Sequence, residues 1–314
     1  MKEFYNQIKQ WYLENAQNEE FTLCVLIRVL FIKISFPQLL IPSKDFYKNT
    51  LLKAFYLLSS PESDLCVNKI LSLPEDTKYT LSDDAFLSDK GLLTILNQYT
   101  FTKNENTTDC ITPETLGTVF ENILSLFNPE TKEESRKKTG SFYTPREIID
   151  YMIDESLKAD LAQKLPDIPD INTTLSDQQR VRIIQTIYDM KCLDPACGSG
   201  SFLVRLTIKL LKIFEKIDPQ GLIQDIIISK NIAPKIKPLL FSQPQFTRTL
   251  YLITHCVYGM DIQHMAIFIT KLRFFIFLLN TQSSQVPLPN LDSNFVTGDF
   301  LLSNKQQGEL FCIA

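Results

Sequence analysis

The residues best placed to do chemistry are three acids, each ending a short apolar run. They are Asp194 before the turn Pro195-Ala196-Cys197-Gly198-Ser199-Gly200, Asp261 closing Val257-Tyr258-Gly259-Met260-Asp261, and Asp299 in Phe295-Val296-Thr297-Gly298-Asp299-Phe300. Gly198 and Gly200 let a ligand approach the backbone, and the N–H groups of a helix opening at Ser199–Ser201 favour an anion there. Asp194 ahead of the turn repels a phosphate but attracts an ammonium or sulfonium group. A dinucleotide fits poorly for a second reason: the third glycine of a GxGxxG turn would fall on Leu203. The methionine end of S-adenosylmethionine (AdoMet) carries both charges the turn favours. Asp261 then suits the ribose hydroxyls, while Asp299 can accept from an exocyclic amine and Phe300 can lie on a purine face. Plainer readings stand beside these: an Asp194 that serves only its own turn, an Asp261 that caps the following helix, and a Gly298-Asp299-Phe300 turn that is by itself a weak signal.

The elements that must hold these acids alternate between strand and helix. Asp189–Asp194 reads as a buried strand before a helix over Gly198–Ile213, Cys256–Asp261 as a strand before a helix over Gln263–Leu279, and Phe295–Gly298 as a third strand. Such alternation predicts a parallel sheet covered by helices, an α/β fold. Asp261 follows Asp194 at much more than the roughly 20 residues of a minimal nucleotide unit. The proline-bearing insertion 218–249 must therefore loop out of the sheet.

Upstream, apolar residues recur at three- and four-residue intervals in Phe4–Tyr12, Leu23–Phe36 and Phe46–Leu58, and a further helix is expected over Leu116–Leu126. Residues 1–127 read as an all-helical domain, 128–140 as a polar, basic linker, and 141–314 as the ligand-binding domain.

Composition narrows the class. Lys plus Arg number 32 against 36 acids, so the net charge of −4 gives the chain no general attraction to a polyanion. Seven scattered cysteines without a CxxC pair, and only two histidines, argue against a zinc site or a disulfide framework and for a reducing cytoplasm. Arg28 and Lys33 interrupt one apolar stretch, and Lys271 and Arg273 the other, so neither reads as a membrane span.

Together these residues resemble a known family, the adenine-specific DNA methyltransferases of restriction–modification systems, particularly Eco57I-like type IIG enzymes and type I modification subunits. Asp194–Phe202, Gly259–Ile262 and Gly298–Leu301 are similar to the family's first three motifs. Gly140-Ser141-Phe142-Tyr143-Thr144-Pro145 resembles its GxFYTP motif, Leu116–Glu121 the segment before that, and Leu26–Phe36 its helical N-terminal region. The resemblance implies a class I, Rossmann-like AdoMet-dependent methyltransferase fold after the helical domain. It assigns cofactor contacts to Tyr143, Thr144, Asp194, Pro195, Ala196, Gly198, Gly200, Asp261, Ile262, Asp299 and Phe300. It also implies double-stranded DNA as partner of the whole enzyme, restriction or specificity subunits beside it, and transfer of methyl to adenine N6.

One departure bears on catalysis. The family's Asn/Asp-Pro-Pro-Tyr/Phe segment, which holds the flipped target base, has no counterpart among these 314 residues, so no catalytic residue is assigned. Glu309–Ala314 looks like the start of the strand that would carry it, and the expectation is a cofactor-binding part of a longer enzyme, inactive on its own. The alternatives are a non-catalytic AdoMet-binding module that depends on a partner chain, and an AdoMet enzyme acting on protein glutamine, against which Gly140–Pro145 speaks.

Overall fold

The fold is that of a computed structural model, which describes residues 2–62, 69–72, 78–101, 110–111, 115–117, 119–120, 144–168, 170–171, 173–221, 243–281 and 288–302. Two compact units emerge. One comprises Met1–Ser141 with Phe275–Asn280 and Gln285–Asn290, the other Phe142–Phe274 with Thr281–Ser284 and Leu291–Ala314.

The first unit is helical where periodicity predicts it, with α1 (Lys2–Asn15), α2 (Glu19–Ser35), α3 (Leu52–Ser59), α4 (Asp84–Leu87) and α5 (Leu92–Asn97). The Asn18 side chain starts α2 by accepting the Phe21 N–H at 2.8 Å. Every residue from Phe21 to Ile32 is buried, so α2 has no solvent face and forms the centre of its unit. Arg28 is tolerated there because its guanidinium donates to the carbonyls of Cys24, Ile70, Leu71 and Ser72. The linker 128–140, residues 121–126 of the helix expected over Leu116–Leu126, and insertion residues 222–242 lie outside the described residues.

The chain continues with α6 (Arg146–Lys164), α7 (Asp177–Asp189), β1 (Cys192–Asp194), α8 (Ser201–Ile217), α9 (Pro244–Tyr251), β2 (Val257–Asp261), α10 (His264–Thr281) and β3 (Phe295–Thr297). The strands form a parallel sheet in the order β1-β2-β3, with Asp194 opposite Gly259 and Asp261 opposite Thr297. This is an α/β arrangement, with all three strands ending on the same side.

The first strand departs from expectation. A capping box between Ser176 and Gln179 opens α7, which then runs through Asp189 and leaves only three residues to β1. Those residues are half-buried rather than buried, because among the described residues β1 pairs with a neighbour on one side only. Buried Asn294 fixes β3 beside β2: its amide donates to the carbonyls of Ile253, Thr254 and Val257, and its own carbonyl accepts the Gly259 N–H at 2.8 Å.

Salt bridges tie α6 to α8. Arg205 holds both oxygens of Asp150 at 2.7 Å, and Lys209 those of Asp154 at 2.8 and 2.7 Å. Among the described residues α10 is long and apolar enough to cross a membrane by length and composition. It is mostly buried in the protein, as a core helix is.

Candidate functional site

Parallel strands bring their carboxyl ends together, and here that places Asp194, Asp261 and Gly298-Asp299 along one rim. The glycine turn is bonded to the second strand end. Its Cys197 N–H donates to the Met260 carbonyl and its Gly198 N–H to Asp261 Oδ2, both at 2.9 Å. Asp261 Oδ1 accepts the Gln263 N–H at 2.9 Å, and the Asp261 carbonyl accepts the Gly298 N–H at 2.9 Å. Asp261 is thus a junction between the turn, the head of α10 and the third strand end. Each carboxylate oxygen keeps capacity for a further bond, since two lone pairs are present and one is used.

Asp194 accepts the Ala196 N–H at 3.1 Å. Burial, assisted by the nearby Asp261 charge, raises its carboxyl above the ordinary range, against the lowering effect of that backbone bond. The Cys197 thiol, buried and facing Asp194 and Asp261, is pushed up to about 12 and stays protonated. A site built this way attracts a cation.

Glycine is required at two points of the turn. Gly198 has φ +54° and nothing within 4 Å of where a Cβ would stand, so space is open above it. Gly200 has φ +82°, and a Cβ there would stand 2.8 Å from the Thr270 methyl. Gly198→Ala should therefore cost only about 1–2 kcal/mol of stability, the left-handed backbone penalty, while its methyl enters the open space. Thermal unfolding beside ligand titration measures the two effects, and a variant that binds as the wild type does would place the ligand elsewhere.

The remaining sequence-predicted residues fall as follows. Pro195 and Ala196 are exposed on the turn, and Ile262, 60% exposed, stands beside Asp261. Asp299 is exposed and accepts the N–H groups of Leu301 and Leu302 at 2.9 and 3.3 Å, capping the turn that follows, with half-buried Phe300 next to it. Thr144 is half-buried just ahead of α6, and Tyr143 lies outside the described residues. A cavity of about 530 Å³ opens beside β1, lined by Met152 and Leu157 of α6, Phe202 and Leu206 of α8, and Leu193, Asp194 and Pro195.

Two further residues hold the turn from behind, both on α10. Thr270 donates its hydroxyl to the Gly198 carbonyl at 3.0 Å. Arg273, 4% exposed, donates to the Ser199 carbonyl at 2.8 Å and to the hydroxyls of Ser199 and Ser201 at 3.0 and 3.2 Å. Their sequence signal is a threonine and an arginine at i and i+3, on one face of a mostly apolar helix, where burial requires each to find a hydrogen-bond partner.

No family model matches the chain. A similarity is found to a protein of Methanocaldococcus jannaschii that carries the provisional name of a type II restriction enzyme and methyltransferase, at 24% identity over 259 residues. The match takes in 74% of this chain and 20% of that protein, so the chain spans about one fifth of its relative's length.

Proposed function

We propose that this chain is the AdoMet-binding part of a DNA methyltransferase that modifies adenine N6 in a cytoplasmic restriction–modification system, on a Rossmann-like sheet. The observation that carries the reading is the junction at Asp261, where a glycine turn with open space above Gly198 meets two electrostatically coupled carboxylates. The residues present fit AdoMet: the carboxylates complement its positive groups, Asp261 retains acceptor capacity for ribose, and exposed Ile262 offers apolar surface to a purine. When bound, AdoMet supplies the methyl group on its sulfonium sulfur. The distant likeness to a restriction enzyme and methyltransferase supports the same class. DNA itself would be held by other parts of such an enzyme, since the chain's net charge is −4.

Calorimetry with AdoMet and with NAD tests the proposal. AdoMet should bind in preference, and better NAD binding would overturn the assignment of the turn. The pH dependence has a definite sign. A ligand cation favours ionised Asp194, whose folded pKa lies above the ordinary carboxylate value, so affinity is full at neutral pH. It is lost as pH falls through that raised pKa, before an ordinary carboxylate would titrate. Asp194→Asn should lower the affinity and flatten this profile; an unchanged profile would remove Asp194 from the site. The 314-residue chain should give no methyl transfer to DNA, because it contains no Asn-Pro-Pro-Tyr segment, and incorporation of labelled methyl above background would contradict this.

A further inference from the structure

Gly259 sits in the middle of β2, between Asp194 of β1 and Phe295 of β3. A glycine there costs the strand a packing side chain and some chain entropy. Its backbone gives no reason for one, because the positive-φ glycines among the described residues are Gly198, Gly200 and Gly221. The reason lies in what approaches it. A Cβ on Gly259 would stand 2.8 Å from Leu203 Cδ1, 2.9 Å from Cys197 Sγ and 3.2 Å from Cys197 Cβ. All three are closer than carbon contacts settle at.

The two neighbours differ in how far they can yield. Leu203 meets the strand with the tip of a long side chain, which another rotamer moves away. Cys197 meets it with a short side chain, 6% exposed, and its backbone N–H is held by the Met260 carbonyl at 2.9 Å. A methyl at position 259 therefore lifts Cys197. With it goes the next residue, Gly198, whose N–H donates to Asp261 Oδ2 at 2.9 Å. The bare backbone of Gly259 is what lets the glycine turn fold down onto β2 and meet the carboxylate at that strand's end.

Building on the AdoMet reading, we propose that Gly259 is a positioning residue of the ligand site: it seats Cys197, and so holds the glycine turn and Asp261 at the spacing in which one ligand reaches both.

The test is calorimetry with AdoMet on the 314-residue chain, on Gly259→Ala, and on Gly259→Ala combined with either Cys197→Ala or Leu203→Ala. Gly259→Ala should bind about tenfold more weakly, the scale of one hydrogen bond to a charged group. Removing the Cys197 sulfur clears the 2.9 Å approach and should return most of that affinity, whereas trimming Leu203 should not. Recovery through Leu203 and not through Cys197 would mean that Gly259 serves only the packing of α8, and would overturn the inference. Normal AdoMet binding by folded Gly259→Ala would overturn it as well. Should Gly259→Ala not fold, the Cys197 double variant decides alone: affinity near that of the wild type supports the seat, and a tenfold loss or a failure to fold overturns it. Wild-type protein that does not bind AdoMet sinks the AdoMet reading itself. Hydrogen exchange at the Gly198 amide then still reads the seat: it should quicken in Gly259→Ala and slow again in the Cys197 double variant, and a rate that Gly259→Ala leaves unchanged sinks the seat too.

Discussion

Asp261→Ala should lower AdoMet affinity about a hundredfold and also loosen the protein, because hydrogen bonds to a charged group contribute about 1.5–3 kcal/mol each. In the ligand-free molecule the carboxylate accepts the N–H groups of Gly198 and Gln263, both at 2.9 Å, and so joins the glycine turn to the head of α10. Removing it leaves two amides to find other partners and takes away the proposed ribose acceptor together with its support. The two losses separate by measurement. Asp261→Asn keeps one amide oxygen as acceptor, and its binding should fall between wild type and Asp261→Ala, while thermal unfolding follows the structural part. If Asp261→Ala binds AdoMet normally, the ribose assignment is wrong; if its melting temperature is also unchanged, the junction has no structural weight either.

A second large effect is expected away from the rim. Asp150→Ala should destabilise the protein by about 1.5–3 kcal/mol, the scale of hydrogen bonds to a charged group, because it takes a half-buried carboxylate, 26% exposed, from a buried guanidinium. The Arg205 side chain is only 6% exposed and places its Nε and Nη2 on the Asp150 carboxylate at 2.7–2.9 Å. The neighbouring pair is a built-in control. Lys209 and Asp154 are 20% and 46% exposed, so Asp154→Ala should cost about 1 kcal/mol or less. Urea unfolding of the two variants compares them directly, and equal costs would show that burial does not set the weight of these bridges. The pairs fasten α6, and with it Thr144 just ahead of that helix, to α8, the helix that opens from the glycine turn.

The local elements were readable because each depends on neighbours in the chain. Helices over Phe4–Tyr12 and Leu23–Phe36, strands ending at Asp194, Asp261 and Gly298, the last of which stops one residue earlier at Thr297, and the helices after the first two strands all announce themselves through apolar spacing and turn residues. Parallel pairing is what the same alternation predicts, since helices packed on the sheet carry the chain back to the side where the earlier strand began. Gly198 and Gly200 were legible for a comparable reason: a strand that turns at once into a helix needs left-handed backbone, which glycine adopts without strain.

What tertiary structure decided concerns partners far apart in sequence. The N–H groups of the helix opening at Ser199–Ser201 read locally as donors for an anion, and those of the turn before it are taken: Gly198 gives its own to Asp261 and Cys197 gives its own to Met260, residues that only sheet formation brings near. The raised Asp194 carboxyl has the same origin, because burial and a second acid are properties of the assembled rim. The half-exposure of β1 was invisible too, since an apolar run states a preference for burial and says nothing of whether a neighbouring strand pairs with it. Thr270 and Arg273 were visible only as polar interruptions of an apolar helix. Which groups a buried polar side chain bonds is settled by the element packed against it, and for these two that element is the glycine turn, about 70 residues earlier in the chain.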